Sequence, residues 1–334
     1  MTDQRRHFVS PLILLASLLF ISSTGYAQAP MPLGRVKPDD GRIRRVSDCT
    51  RTSVGFTPLS DLVGGAYRGY EGGLYLGGSN EPPLDYKWMG RAHASLVQPL
   101  NQNGQPDPNG KIVLLSIGMS NTSMEFTTFK TNADADPEKN PQVTRVNGAQ
   151  GGQDAEIIRN PNAPFWATVD QRLTQAGVTR NQVQTAWLKQ AIAGERRPFP
   201  EDTVALRDAL RDIVGIMQTR YPNLQIIYLS SRTYAGYSVQ QNIEPFAYQS
   251  SFSVKWLIEE RIVGNGEGAW LAWGPYLWAD GVKPRSDGLQ WLCSDVSEDG
   301  VHPSVSGRQK VADLLLNFFK TNETARGWFV RGSY

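Results

Sequence analysis

From Lys111 onward the chain alternates strand-length apolar runs with helix-length apolar stripes, and no other feature limits its fold as tightly. "KIVLLSI" (111–117) is apolar without alternation, the mark of a strand covered on both faces. "QVTRVN" (142–147), "QVQTAWL" (182–188), "QIIYLSS" (225–231) and "AWLAWG" (269–274) complete a set of about five strands. Between them, Phe165, Val169 and Leu173 recur every four residues and Gly177 follows as a stop, which predicts a helix over 164–176. Leu206, Ala209, Leu210, Ile213, Val214 and Met217 form one helical stripe, closed by Pro222. Further helices are predicted over 246–262 and near 304–320. Strands alternating with helices require right-handed crossovers, hence an α/β fold with a parallel sheet and helices on both faces. Chemistry in such sheets collects beyond the carboxyl ends of the strands. Residues 118–120, 147–152, 189–190 and 230–232 all follow strand ends and are expected on one rim.

The segment before this pattern reads differently. Arg5 and Arg6 precede an apolar stretch, Phe8 to Ile21, that is short and contains Pro11. That is the form of a secretory signal rather than a membrane span. Cleavage after Ala27 would leave Gln28 first; cleavage after Ala29 would leave Pro30, a poor substrate position, so 1–27 is taken as the signal. The arginine pair also fits a twin-arginine signal, although Gln4 stands where Ser or Thr is usual. Residues 28–105 are expected to be an irregular extension laid over a domain at 106–334, with export to the periplasm or the exterior. No later stretch approaches about 18 uninterrupted apolar residues, so no stable membrane insertion is expected. The 34 basic and 32 acidic residues nearly balance, which excludes a polycationic nucleic-acid surface. The two cysteines, Cys49 and Cys293, can form one disulfide in an oxidising compartment, tying the extension to the C-terminal region; two buried free thiols are the alternative.

Three histidines limit the acid–base chemistry available. His7 leaves with the signal, so His93 and His302 remain. His302 stands in "EDGVHPSVSG", three residues after Asp299 and just before a predicted helix. A carboxylate at that spacing can accept the Nδ1 proton, fix the tautomer and stabilise an imidazolium. Ser120, in "GMSN" directly after the first strand, offers the complementary hydroxyl, which attacks only when a base removes its proton. Its own N–H can face a developing oxyanion. A helix-capping role for Ser120 is the alternative. "GGSN" (77–80) has the same form, but no buried strand delivers Ser79 to the rim.

Ser120 after a strand, glycines after the second strand and "DGVHPS" near the C-terminus together resemble the SGNH (GDSL-like) hydrolase superfamily over residues 111–320. The resemblance implies a flavodoxin-like, three-layer α/β/α fold and ester hydrolysis without a cofactor. It assigns Ser120 as nucleophile, His302 as base and Asp299 as its orienter. The family's second block supplies a glycine N–H to the oxyanion hole; "NGAQGGQDA" offers Gly152, with Gly151 as neighbour. The family's common Gly-Asp-Ser is Gly118-Met119-Ser120 here. Its third-block Asn is absent, and Lys189-Gln190 follows the third strand instead; an amide from Gln190 or a charge from Lys189 can take its place, or either can be a strand-end surface residue.

The expected function is therefore an exported serine esterase acting on a carboxylic ester, of a small molecule or a glycan. Two alternatives stay open: an acyltransferase on the same triad, and a non-catalytic carbohydrate-binding protein that kept the fold. "WLAWGPYLWADG" (270–281) can present Trp273 and Tyr276 to a sugar ring, or place them in the core. "NADAD" (132–136) has Ca²⁺-like alternation but Pro137 where an EF-hand needs Gly, and reads as a solvated acidic loop. No His or Cys spacing fits zinc.

Overall fold

The computed structural model describes residues 47–194, 197–239, 243–264 and 268–332. The expected signal, 1–27, and the first part of the expected extension lie outside the described residues.

Five parallel strands form the central sheet: β3 (Ile112–Gly118), β4 (Val143–Asn147), β5 (Val183–Lys189), β6 (Ile226–Leu229) and β7 (Trp270–Trp273), in the order β4-β3-β5-β6-β7. A small antiparallel hairpin, β1 (Ala66–Tyr67) and β2 (Tyr70–Glu71), lies apart from it. Every residue of β3, β5, β6 and β7 is buried, which accounts for their lack of alternation. Helices α2 (Ser120–Ala135) and α7 (Val305–Thr321) pack together, as do α5 (Glu201–Arg220) and α6 (Phe246–Val263). With α4 (Pro164–Gln175) on β4, the helices cover the sheet as a three-layer α/β/α arrangement. The chain reverses its direction of winding between β3 and β5. A crevice at that switch point is where such sheets hold ligands.

The five strands and the helices over 164–176, 206–217, 246–262 and 304–320 appear within a few residues of the sequence reading. Four helices do not follow from it: α1 (Leu84–Ser95), α2, and the one-turn α3 (Ala155–Ile158) and α8 (Arg326–Phe329). The acidic loop expected at 132–136 is instead the last turn of α2 with its C-cap, Asp136. Asp134 pairs with Arg145 and Asp136 with Lys320, so these carboxylates brace β4 and α7. No group of His, Cys, Asp and Glu among the described residues could hold a metal.

A run from Ser47 to Ser79 lies along the aromatic segment after β7 and is hydrogen-bonded to it repeatedly. Asp280, 3% exposed, accepts from the Val54 and Gly55 N–H groups and from the Ser53 hydroxyl. Trp273 Nε1 donates to the Leu74 carbonyl at 2.7 Å, and the Leu59 N–H donates to the Tyr276 hydroxyl at 3.0 Å. A disulfide joins Cys49 to Cys293, with the Cα atoms 5.4 Å apart. Among the described residues no helix is long and apolar enough to cross a membrane.

Candidate active site

The site begins at Gly118, the last residue of β3. A Cβ built there would fall 2.2 Å from the Lys189 carbonyl oxygen and 2.4 Å from Thr122 Oγ1, so a side chain would push β3, β5 and α2 apart. Glycine lets the chain turn directly from the sheet into α2, with Ser120 as that helix's first residue. The opening N–H groups of a helix have no intrahelical carbonyl and carry the positive end of its dipole. Ser120 thus presents its hydroxyl beside a local excess of N–H donors. The Thr122 hydroxyl donates to the Lys189 carbonyl at 2.7 Å, which fixes this first turn to the end of β5.

His302 comes from the other end of the chain. The loop before α7 is closed by the Ser297 N–H donating to the His302 carbonyl at 2.8 Å, and Ser304 caps α7 through the Gly307 N–H. His302 Nε2 lies 2.9 Å from Ser120 Oγ, and Nδ1 lies 2.6 Å from Asp299 Oδ2. Asp299 Oδ1 also accepts the Val301 and His302 N–H groups, each at 2.9 Å. Partial burial works to raise the Asp299 pKa, but the hydrogen bonds from the His302 ring and from the two N–H groups outweigh it. The carboxyl is held below its ordinary value and stays ionised. An ionised Asp299 accepts the Nδ1 proton, leaving the Nε2 lone pair directed at Ser120.

A cavity of about 230 Å³ opens over this pair, lined by Ser120, Gly152, Lys189, Gln190, Arg232 and His302 among others. That is somewhat below the roughly 300–1,000 Å³ of drug-sized ligand sites, so it suits a compact group. Gly152 has φ +72°, a left-handed conformation that favours glycine. Its neighbour Gly151 also approaches Ser120: a Cβ there would lie 3.9 Å from Ser120 Cβ. The loop carrying both glycines is held on two sides. The Gln150 N–H donates to the Gly118 carbonyl at 3.0 Å, and the Ala155 N–H donates to the Ala191 carbonyl at 2.9 Å.

Lys189 and Gln190, at the end of β5, divide into two roles. Gln190 Nε2 donates to the Gln153 carbonyl at 2.9 Å, and its Oε1 accepts the Ala191 N–H at 3.0 Å. One hydrogen of its amide is therefore committed to the glycine loop, and the carboxamide has a second. Lys189 is not a solvated cation on the rim. It is 4% exposed, and its Nζ lies 2.6 Å from both oxygens of the fully buried Glu125 on α2. Burial pulls the ammonium's pKa down and pushes the Glu125 carboxyl up, each against the attraction of its partner. The sequence reading had no signal for Glu125 beyond its place on the buried face with Phe126, Phe129 and Ala133.

Trp273 and Tyr276 do not belong to this site. Each is only 5% exposed and is bound to the segment from Leu59 to Leu74, so of the two readings of 270–281 these rings take the core placement, and their assignment to substrate is corrected. Ser79 forms a local turn with Glu81, and His93 Nδ1 lies 3.1 Å from Gln225 Oε1. Neither contributes to the cavity lined by Ser120.

No family model matches the chain, and no curated protein matches it. Among solved structures it is similar to the periplasmic domain of a lipopolysaccharide acetyltransferase from Salmonella ser. Paratyphi A, at 13% identity over 70% of this chain and 94% of that one, with a TM-score of 0.38. It is similar to the C-terminal catalytic domain of peptidoglycan O-acetyltransferase A from Streptococcus pneumoniae at 14% identity, over 63% of this chain and 94% of that one, with a TM-score of 0.35. A salicylyl-acyltransferase from a tetracycline biosynthetic pathway gives 12% identity over 64% of this chain and 55% of that one, with a TM-score of 0.36. These likenesses are faint, and what the site can do follows from its own geometry.

Proposed function

We propose that the chain is an exported serine esterase of the SGNH type, which cleaves a carboxylic ester through an acyl-enzyme on Ser120. The observation that carries this reading is the unbroken relay from Asp299 Oδ2 through His302 to Ser120 Oγ, at 2.6 and 2.9 Å. His302 Nε2 takes the hydroxyl proton as Oγ attacks the ester carbonyl, and Asp299 stabilises the imidazolium. The oxyanion forms over the start of α2, with N–H groups of Ser120 and Gly152 as donors and the second amide hydrogen of Gln190 as a third. His302 then protonates the departing alkoxide, and a water deprotonated by the same ring releases the acyl group.

Export is supported by the signal-like segment and by the Cys49–Cys293 disulfide, a bond that persists in oxidising compartments. The cavity's modest size favours a small acyl group.

The test is hydrolysis of a p-nitrophenyl ester by purified protein. Ser120→Ala is expected to lower kcat by about 10⁴-fold or more with the fold intact by circular dichroism. A variant as fast as wild type would reject the mechanism.

A further inference from the structure

The loop from Gly148 to Gln153 runs from the end of β4 to the Ser120 cavity, and most of its backbone N–H groups are hydrogen-bonded. Gly148 donates to the Ser116 carbonyl at 3.0 Å, Ala149 to Asn147 Oδ1 at 3.2 Å, Gln150 to the Gly118 carbonyl at 3.0 Å and Gln153 to the Gln150 carbonyl at 3.4 Å. Only the N–H groups of Gly151 and Gly152 in this run have no acceptor among the described residues. The loop's carbonyls are held from the other side. Arg172, in the last turn of α4, donates from a single nitrogen, Nη1, to the Asn147 carbonyl at 2.9 Å and to the Ala149 carbonyl at 2.7 Å. The Gln150 carboxamide donates to the Gly148 carbonyl at 3.2 Å and to the Phe165 carbonyl on α4 at 2.9 Å. Asn147 ties the root of the loop to α2, its Nδ2 donating to the Ser123 carbonyl at 2.8 Å and to Thr127 Oγ1 at 2.9 Å.

The peptide unit between Ala149 and Gln150 is thus fixed at both ends, its carbonyl by Arg172 and its N–H by Gly118. The next two units carry the N–H groups of Gly151 and Gly152. Two glycines resist rotation of those units weakly, since no side chain limits their dihedrals. A rotated unit would offer a carbonyl where an oxyanion needs a donor. The fixed point therefore has to come from outside the pair, and a guanidinium supplies it well, because it is always ionised and its hydrogen bonds are roughly twice as strong as neutral ones. We propose that Arg172 is the positioning residue of the oxyanion site, fixing the peptide ahead of Gly151 and Gly152 so that their N–H groups face the carbonyl attacked by Ser120. This deepens the esterase reading and rests on it. A cation in the last turn of α4 also suits that helix's dipole, which is a purely structural role; kinetics separate the two.

The test pairs hydrolysis of p-nitrophenyl acetate with inhibition by a phenyl trifluoromethyl ketone. Ser120 Oγ adds to the ketone carbon, His302 takes the hydroxyl proton, and the former carbonyl oxygen is left as an anion against the oxyanion donors. Arg172→Met is expected to lower kcat about 10–100-fold with KM changed less than about threefold. The ketone's Ki is expected to rise by the factor by which kcat/KM falls. Arg172→Lys keeps the charge without the planar fork and is expected to fall between wild type and Arg172→Met. Urea unfolding reports the stability of each variant.

An unchanged kcat in folded Arg172→Met would overturn the positioning role and leave the serine mechanism intact. A lower kcat or a lower stability with an unchanged Ki for the ketone would do the same. Where Arg172→Met fails to fold, Arg172→Lys decides on the same readouts; failure of both to fold would place Arg172 in the packing of α4 and overturn the role. Inertness of wild type toward the ester, the ketone and a fluorophosphonate would remove the esterase reading, and the positioning role with it.

Discussion

Asn121 Nδ2 donates to the Val301 carbonyl at 2.9 Å, so the residue after Ser120 is tied to the residue before His302. The bond spans 180 positions of sequence and sits beside the Ser120–His302 contact. It fixes how the opening of α2 meets the loop before α7, and the proton relay depends on that alignment. Asn121→Ala is expected to lower kcat by roughly 10-fold or more with a smaller change in KM, because misplacement of reacting groups costs rate. Steady-state kinetics on a p-nitrophenyl ester measure both; an unchanged kcat would show that the loop is aligned by other contacts.

Asp299 makes a pH-dependent contribution whose sign follows from its lowered pKa. A carboxyl held below its ordinary value in the folded state stabilises that state above about pH 4, and the contribution fades as pH falls through the folded value. Asp299→Asn is therefore expected to be less stable than wild type at pH 7 and to converge on it as pH falls through the folded value of Asp299. Urea unfolding at several pH values gives the comparison. The same variant is expected to lose about 10⁴-fold in kcat, since an amide does not hold the required His tautomer.

The Lys189–Glu125 pair joins β5 to the nucleophile's helix with no solvent to share the charge. Lys189→Met leaves a buried carboxylate without its partner and is expected to cost about 3–5 kcal/mol. Lys189→Met with Glu125→Leu is expected to recover most of that loss. Chemical denaturation of the three proteins decides it. A double variant no more stable than the single one would place the cost in packing instead.

Trp273→Ala is expected to destabilise the fold by about 3–5 kcal/mol, the usual cost of emptying a buried aromatic site. Affinity for any glycan should not follow Trp273, because the ring is 5% exposed and its N–H is bound to Leu74. Thermal unfolding and a glycan-binding isotherm separate the two effects.

The sheet was legible in the sequence because strands buried on both faces read as continuous apolar runs, and the contact of His302 with Asp299 because their three-residue spacing brings a carboxylate to the ring. Helix α2 was hidden. Its buried face includes Thr122 and Glu125, polar residues that a search for apolar periodicity passes over. Helix α1 was hidden for a related reason. Few of its residues are buried, Tyr86 and Gly90 among them, and its contact is a close approach in which a Cβ at Gly90 would meet the Trp270 ring at 2.4 Å. The role of the 270–281 aromatics depended on a partner distant in sequence: Trp273 and Tyr276 serve the run from Ser47 to Ser79. Lys189 read as a strand-end cation because nothing local reveals Glu125, 64 positions away, as its counter-ion.

Reaction of the protein with a fluorophosphonate probe, followed by peptide mapping, tests most directly whether His302 activates Ser120. Wild type is expected to carry the label on Ser120, with labelling abolished in Ser120→Ala and slowed at least 100-fold in His302→Ala. Label on Ser79 or another serine, or equal labelling rates in wild type and His302→Ala, would contradict it.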